Sequence, residues 1–407
     1  MLAEAPGPAS AIAERRHICI VTETYPPEVN GVALTLSYLV GGLTSRGHKV
    51  SVVRPRQRQA DCCRDRGCDP AVTLVRGLPL PGYKGLQFGL PAGKLLWRAW
   101  TRDRPDAVYV ATEGPLGWSA VRIAHLLEIP SCSGFHTNYD SYSKHYGIGW
   151  LQPLILRYLC TFHNRTTATL APTADLRDRL QSLGIRNVNC LGRGVDSQLF
   201  APQHRSNELR RTWNVTERDL AAIYVGRIAP EKNLELAITA FRAMKCHSPS
   251  LKFIIVGDGP LHPALRRANP DLIFCGTKAG PELARHYASG DLFIFPSESE
   301  TFGNVTLEAM ASGLAVIAYN YAAAKMHISH GQTGILVPYG DSRAFVDAAL
   351  HLIGAAQSIP VIRRGAREYI MSIDWAHVVE RFEAMLTNCG NQPYVPGGPV
   401  TGRRLAA

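Results

Sequence analysis

Two doubly wound α/β domains of Rossmann-like design, facing a common cleft, are predicted by three observations. The chain has 407 residues, 46% of them hydrophobic, which at roughly 100–200 residues per domain is enough for two separate cores. Its apolar runs are short and continuous, the pattern of strands buried in a parallel sheet, and they alternate with helix-periodic stretches. The pattern also starts twice, at His17 and again at Ala221, each time as strand, glycine-bearing loop, helix and strand. No repeat of 20–50 residues competes with this reading.

The first strand is His17 to Thr22. A proline-rich loop, Glu23 to Asn30, leads to Gly31, which opens a helix over Val32–Ser45 with Leu36, Leu39, Val40 and Leu43 on one side. Gly47 ends that helix and Lys49–Val53 is the next strand. No GxGxxG follows the first strand, which argues against a simple dinucleotide cofactor. Gly31 would still let a ligand approach the backbone closely; it could equally be only a helix-start residue. Arg54 to Arg66 is arginine-rich and irregular. Lys94 to Arg102 reads as a basic helix in which Trp97 and Trp100, three apart, share a face, and Lys84 lies just before it. Rings and cationic heads together suit an anionic membrane interface, unless the tryptophans are core and the charges merely solvated. Asp106–Ala111 is a strand, Trp118–Leu127 a helix, and Pro130–Phe135 a strand ending in His136-Thr137-Asn138. A polar cluster at a strand's carboxyl end is where open α/β sheets bind ligands, although a lone histidine such as His136 is more often structural. A further helix spans Leu151–Asn164, and polar residues 201–217 read as a linker.

The second half begins with the strand Ala221–Val225, followed by Gly226-Arg227-Ile228-Ala229-Pro230-Glu231-Lys232-Asn233 and a helix over Leu234–Met244. Pro230 suits a first helical turn. Arg227 and Lys232 would bring two cations to a helix mouth with unpaired N–H groups, a natural place for a diphosphate. Phe253–Val256 and Leu272–Gly276 are strands, the first ending in the turn Gly257-Asp258-Gly259-Pro260. The most informative stretch is Pro296–Gly313. It follows the buried strand Leu292–Phe295, carries Glu298 and Glu300 in a polar loop, passes through Thr301-Phe302-Gly303, and enters a helix at Asn304 with Glu308 on it. Strand, glycine turn and helix N-terminus make an anion site, and the two glutamates add acceptors for hydroxyl groups. A sugar joined to a phosphate would satisfy both; solvated acids on a surface helix are the plainer alternative. Leu314–Tyr319, Thr333–Val337, a helix over Arg343–Ile353 and an amphipathic helix over Trp375–Leu386 complete the chain. The expected domains are a disordered leader (1–16), an acceptor-side domain (17–200), a linker (201–217), a nucleotide-sugar domain (218–372), a C-terminal helix that could pack back on the first domain (373–387) and a disordered tail (388–407).

Lys and Arg outnumber Asp and Glu by 44 to 33, a net charge of +11. That surplus suits an anionic partner such as phosphate-bearing substrates or a membrane surface. No apolar run approaches the ~18–20 residues that span a bilayer, and the leader lacks the features of a secretory signal, so a cytoplasmic location is expected. Among the cysteines, Cys19, Cys132, Cys190 and Cys275 lie in strand-like runs as buried thiols. Cys62, Cys63 and Cys68 cluster without the spacing of a zinc site.

At this point GRIAPEKN (Gly226–Asn233), VGDGP (Val256–Pro260) and ESETFGNVTLEAMASG (Glu298–Gly313) resemble the donor-site motifs of the family-4 retaining glycosyltransferases. TETYPPEVNGVALTL (Thr22–Leu36), ATEGPLGW (Ala111–Trp118) and SGFHTNYDSYSKHYG (Ser133–Gly147) resemble its branch of bacterial GDP-mannose-dependent α-mannosyltransferases and diacylglycerol glycosyltransferases. The resemblance implies a GT-B architecture of two Rossmann-like domains. It implies that Glu300 binds donor-sugar hydroxyls, Glu308 the ribose, and Arg227 and Lys232 the diphosphate. His136 would contact the donor sugar and Gly31 would let the N-terminal loop close on the diphosphate. The backbone of Thr301, Phe302, Gly303 and Asn304 would touch sugar and phosphate, and Cys275–Lys278 would lie near the base. No cofactor and no metal are implied, since no DxD motif is placed to bridge a diphosphate. The unusual Cys62–Cys68 stretch departs from the pattern on the acceptor side.

The expected activity is transfer of a hexose, foremost mannose from GDP-mannose, with retention of configuration. The acceptor would be a lipid or lipid-linked molecule at the inner face of the plasma membrane, without nucleic acid as a partner. A UDP-sugar donor (glucosyl, glucuronosyl or sulfoquinovosyl transfer to diacylglycerol), a nucleotide-sugar epimerase and a non-catalytic binding protein are the alternatives.

Overall fold

The computed structural model describes residues 15–28, 30–56, 70–79, 87–136 and 152–391. Most of the leader, Cys62, Cys63, Cys68, Lys84, Thr137, Asn138 and the tail beyond Asn391 lie outside the described residues. The chain divides into two compact units, residues 1–134, 162–169 and 382–407 in one, and 135–161 and 170–381 in the other.

The N-terminal sheet has seven strands. In chain order the first five of its strands are β1 (His17–Val21), β2 (Lys49–Pro55), β3 (Ala71–Val75), β6 (Ala107–Val110) and β7 (Ser131–Gly134). A small antiparallel pair, β4 (Gly77–Pro79) and β5 (Gln87–Gly89), intervenes. With β8 (Ala168–Ala171) and β9 (Val188–Cys190) the spatial order is β3-β2-β1-β6-β7-β8-β9. The strands β1, β2, β3, β6 and β7 pair in parallel; the central strands β1 and β6 are apolar and buried along nearly their whole length, with no polar side to alternate, whereas the edge strand β3 is partly exposed. Helix α1 (Gly31–Ser45) starts where expected. Its N-cap is Asn30, whose Oδ1 accepts from the N–H of Val32 and of Ala33 at 3.1 and 2.9 Å. Gly31 is therefore the first helical residue after a side-chain cap.

Helix α2 (Gly93–Arg102) is the predicted basic helix, but its two tryptophans part company. Trp100 is 4% exposed and belongs to the core with Leu96, whereas Trp97 is 43% exposed beside exposed Leu95. Three residues advance a helix by about 300°, so a narrow core contact at Leu96 and Trp100, four apart, leaves position 97 outside. Helix α3 (Pro115–Leu126) begins inside the predicted loop, because Pro115 occupies the first turn without needing an N–H partner. Helix α4 (Gln152–His163) matches expectation.

The C-terminal sheet is parallel, in the order β12-β11-β10-β13-β14-β15, with β10 (Ala221–Val225), β11 (Lys252–Val256), β12 (Ile273–Gly276), β13 (Leu292–Phe295), β14 (Ala315–Tyr319) and β15 (Ile335–Val337). Strand order reverses between β10 and β13: the chain leaves β10 toward β11 on one side and returns to β13 on the other. That is the switch point at which open α/β sheets leave a crevice beyond the strand ends. The loops after β10 and β11 touch closely. A Cβ at Gly257, whose φ is +140°, would meet the carbonyl oxygen of Gly226 at 1.9 Å, so only glycine fits there.

The stretch read as a linker is instead folded. Helix α5 (Ala174–Ser182) precedes it, and within it a 3₁₀ turn at Pro202–His204 is followed by α6 (Asn207–Thr212). Polar composition concealed this, because the anchors are charged. Fully buried Arg210 on α6 donates to Asp291 Oδ2 at 3.0 Å, to the carbonyl oxygens of Thr216 and Asp219, and to that of Ser289. Arg205 and Arg363 reach Asp291 Oδ1 at 2.9 and 2.8 Å, and the Ala221 N–H reaches Oδ2 at 2.9 Å. Removing the one carboxylate leaves three guanidinium groups, one of them wholly buried, without their counter-charge. Asp291→Asn is therefore expected to destabilise the protein by about 3–5 kcal/mol, seen as a drop of roughly 10 °C or more in Tm by calorimetry.

Candidate active site

The loop Pro296–Gly303 leaves β13 at the switch point, directly beside the turn that leaves β10. Tyr224 in β10 steadies that turn by donating its hydroxyl to the Arg227 carbonyl at 3.0 Å. A short 3₁₀ turn, Pro230–Lys232, follows, and Asn233 takes a left-handed conformation (φ +49°) before helix α7 (Leu234–His247). The helix starts at Leu234, as the sequence predicts; the 3₁₀ turn before it is what projects Lys232 across to the other loop. Its ammonium donates to the Ser299 carbonyl at 3.0 Å and to Glu300 Oε1. Ser297 Oγ donates to the same Oε1 at 2.8 Å. Both bonds fall on one carboxylate oxygen, and Oε2 of Glu300 has no partner among the described residues.

The backbone of the loop is held as firmly. Tyr339 donates to the Glu298 carbonyl at 2.7 Å and Tyr321 to the Glu300 carbonyl at 2.8 Å. With Lys232 on Ser299, three consecutive carbonyls are each engaged by a side chain from a different segment. Burial raises the Tyr321 phenol to about 12, so it remains a donor at neutral pH. Asn233 Nδ2 adds a bond to Glu298 Oε1 at 2.9 Å, and the Glu298 N–H donates to the Glu231 carbonyl at 3.1 Å. Arg227 lies 3.8 Å from buried Glu231.

Helices α8 (His262–Ala268) and α9 (Gly280–Ser289) precede the loop; beyond it, Gly303 has φ +96° and turns the chain into helix α10 (Asn304–Ala311). Thr301 Oγ1 donates to the His136 carbonyl at 3.0 Å. The Asn304 side chain accepts from Arg193 Nη1 at 3.1 Å, and Arg193 Nη2 approaches His136 Nδ1 at 3.5 Å. The Phe302 side chain is buried core, with the Arg193 guanidinium 5.5 Å from its ring centroid, so Phe302 offers a ligand only backbone. Glu308 is buried on α10 and receives one hydrogen bond, from Tyr287, at 3.0 Å. Desolvation pushes its carboxyl up to about 7, partly offset by that bond.

His136, Arg227, Lys232, Glu300, Thr301, Asn304 and Glu308 are thus all described within the second unit: Lys232 and Glu300 in one hydrogen-bonded group, His136, Thr301 and Asn304 in another joined to it by the loop 300–304, Arg227 beside Glu231, and Glu308 paired separately with Tyr287. Gly31 belongs to the first unit. Of the cysteines expected to be buried, Cys19 and Cys132 are, while Cys190 and Cys275 are only partly so. Arg193, Ser297, Tyr287, Tyr321 and Tyr339 went unread in the sequence. Arg193 carried a usable signal, an arginine between Gly192 and Gly194 just past a strand; the tyrosines carried none, since a tyrosine in an apolar run looks like any core aromatic.

Residues 29–199 match the family described as Glycosyltransferase Family 4, and residues 220–355 match Glycosyl transferases group 1. A GDP-mannose-dependent alpha-mannosyltransferase of Mycobacterium tuberculosis is 32% identical over 365 residues, covering 89% of this chain and 94% of the relative. The chain belongs to glycosyltransferase family 4. Further relatives include a Mycolicibacterium smegmatis protein of the same name, 32% identical over 91% of this chain and 97% of its own length. An alpha-monoglucosyldiacylglycerol synthase of Streptococcus pneumoniae is 27% identical over 80% of this chain and 75% of the relative. Among solved structures, Anabaena HepE in complex with UDP and glucose superposes with TM-score 0.70 at 20% identity, covering 92% of this chain and all of that one. Sucrose-phosphate synthase of Thermosynechococcus elongatus gives TM-score 0.74 at 16% identity, covering 92% and 99%. The fold of this family 4 transferase is therefore GT-B, two Rossmann-like domains.

The transferase keeps Glu308 at a cost to its own stability. In the unfolded chain a glutamate ionises near 4.5; here it does so at about 7. Between those values the unfolded state binds fewer protons than the folded one, so stability falls as pH rises through the window and stays low above it. The deficit is under about 1 kcal/mol at pH 5 and roughly 3 kcal/mol at pH 8. Glu308→Gln, which keeps the shape without the charge, should raise Tm at pH 8 by clearly more than at pH 5 in ligand-free protein. Equal shifts at both pH values would show that the charge is not the cause.

Proposed function

We propose that this transferase moves a hexose, foremost mannose from GDP-mannose, onto a lipid or lipid-linked acceptor, retaining the configuration at the anomeric carbon. The observation that carries the site reading is the Lys232–Glu300–Ser297 cluster at the switch point, with both bonds on Oε1 and Oε2 left to a ligand. The mannosyl reading is supported by relatives at 32% identity named as GDP-mannose-dependent α-mannosyltransferases.

In this mechanism Oε2 of Glu300 accepts hydroxyls of the donor sugar, and His136, placed by the Arg193 and Thr301 contacts, faces the same sugar. Lys232 and Arg227 hold the diphosphate. As the sugar–phosphate bond breaks, negative charge grows on the diphosphate and positive character on the anomeric carbon; cations already in place stabilise that state without reorganising. The acceptor hydroxyl attacks from the face the diphosphate leaves, and its proton passes to the departing phosphate oxygen. No carboxylate nucleophile takes part, so neither Glu300 nor Glu308 forms a sugar ester. Glu308 accepts ribose hydroxyls, and Gly31 and the backbone of residues 301–304 approach the donor closely.

A second reading is glucosyl or sulfoquinovosyl transfer from a UDP-sugar; the sugars, though not the nucleotide, accord with relatives named alpha-monoglucosyldiacylglycerol synthase and Sulfoquinovosyl transferase SQD2 of Arabidopsis thaliana, 34% identical over 74% of this chain and 60% of its own length. A panel of GDP-mannose, UDP-glucose, UDP-galactose and UDP-glucuronate in thermal shift separates them: the true donor at ~100 times its Kd adds about 2.7 kcal/mol. With that donor, Lys232→Ala and Glu300→Ala should each lower kcat/KM by about 100-fold or more while the variants stay folded. Isomerised nucleotide sugar in the absence of acceptor would point to an epimerase instead.

The lipid-side reading places α2 against an anionic membrane, through exposed Leu95 and Trp97 flanked by Lys94 and Arg98. No single helix among the described residues is long and apolar enough to cross a membrane, so attachment would be peripheral. Vesicles containing anionic lipid should retain the wild type at low salt and release it at high salt, and Trp97→Ala with Lys94→Ala should weaken retention by about tenfold. Binding that ignores both salt and these substitutions removes α2 from the account.

A further inference from the structure

Tyr287, on α9, has a wholly buried ring packed edge-on to Phe200 at 5.7 Å and tilted against Phe293 at 5.9 Å between centroids. Those contacts leave the ring little rotational freedom and aim its hydroxyl at Glu308 Oε2, 3.0 Å away. Burial and the nearby carboxylate hold the phenol well above its ordinary value, so at neutral pH it can only donate. Glu308 has a second oxygen, Oε1, with no partner among the described residues.

On α9 itself Arg285 and His286 lie beside Glu282, at 3.8 and 3.5 Å, and several charged groups on the other elements around α10 are committed elsewhere. Arg363 and Arg367, on the helix Ile359–Ile370, donate to the carbonyls of Gly313 and Ala311. On the short helix Ala322–His327, Lys325 pairs with Asp175 and His327 bonds Tyr369. His204, beside α9, bonds the Gln198 carbonyl. Tyr224, itself fully buried, is the other phenol facing Tyr287. None of them supplies Glu308 with a cation, and the Tyr287 hydroxyl is its one donor among the described residues.

We propose that Tyr287 is a positioning residue of the donor site: its hydroxyl holds Oε2 of Glu308 and turns Oε1 toward the ribose diol, so that this pair sets the affinity for nucleoside diphosphates. The proposal rests on the reading of Glu308 as the ribose partner. A carboxylate can accept from both hydroxyls of a ribose, whereas a protonated carboxyl has lost one acceptor and gained a donor. With Glu308 titrating at about 7, nucleotide affinity should fall as pH drops through neutrality and be full above it. Deleting the phenol hydroxyl removes a hydrogen bond that favours the charged form. The carboxyl then titrates higher by about one to two pH units, the usual worth of a bond to an ionised acceptor.

The test is calorimetric binding from pH 6 to pH 9, with GDP and with UDP as probes, each beside its 2′,3′-dideoxy analogue. The analogue carries the same diphosphate, so the ratio of the two Kd values isolates the diol from phosphate titration. In the wild type this ratio should favour the ribonucleotide increasingly as pH rises through about 7. Tyr287→Phe should move that midpoint up by about one to two pH units, weakening ribonucleotide binding about tenfold or more at pH 7 and recovering most of it at pH 9. KM for the donor should change more than kcat. Glu308→Gln should bind poorly at every pH. If Glu308→Gln binds ribonucleotides as well as the wild type, the ribose reading itself fails. If Glu308→Gln is weak but Tyr287→Phe keeps the wild-type midpoint, Tyr287 only packs and the proposal is overturned. A wild-type ratio that is flat with pH overturns it as well, without recourse to any Tyr287 variant.

Discussion

The ammonium of Lys232 joins the two loops that leave the sheet at its switch point, and the candidate site depends on that contact. One charge meets the Glu300 carboxylate and the Ser299 carbonyl together. It thereby fixes both where the loop runs and which carboxylate oxygen remains for a ligand. Tyr321 and Tyr339 take the flanking carbonyls, so the loop is set before any ligand arrives. Ordering it in advance removes an entropic cost from binding and lets charges act on a developing transition state without first moving. The same lysine that would meet a diphosphate also orients the carboxylate that would meet the sugar, which couples the two halves of a nucleotide sugar through one side chain.

Three carboxylates near β13 show how environment divides their work. Asp291, just before the strand, is enclosed by three guanidinium groups and a backbone N–H and serves the fold. Glu300, just beyond it, has one cation and one hydroxyl, both on the same oxygen. Glu308, on the helix that follows, has only a phenol in an apolar setting. Between the first two lie four fully apolar residues, Leu292 to Phe295, all buried. A strand that carries its charges only at its ends can be rigid in the middle and chemical at the tip. A buried carboxyl with a raised pKa is a standing cost to stability, of the kind found where function needs a group that packing alone would reject.

The parallel sheets were legible because buried strands must be continuously apolar: Ala221–Val225, Leu292–Phe295 and the helix Asn304–Ala311 fall where the periodicity puts them. Residues 201–217 misled for the opposite reason. Arg205 and Arg210 look like solvated linker charges until Asp291, some eighty residues later, is brought to them. Trp97 and Trp100 misled through spacing alone, since position 100 follows Leu96 into the core and position 97 does not.

The sequence by itself determined the two-domain α/β plan, the motifs shared with family 4, and the candidate site residues Arg227, Lys232, Glu300 and Glu308. All of these depend on local period, on turn chemistry or on residues close together in the chain. Only the tertiary structure decided which oxygen of Glu300 is engaged, that Arg193 joins His136 to Asn304, and that tyrosines at 287, 321 and 339 orient the two glutamates and their loop. Those contacts join side chains that lie up to 111 residues apart. A hydrogen bond needs its atoms within about 3 Å in a defined direction, and no pattern along a chain encodes that distance until the sheet has brought its strand ends together.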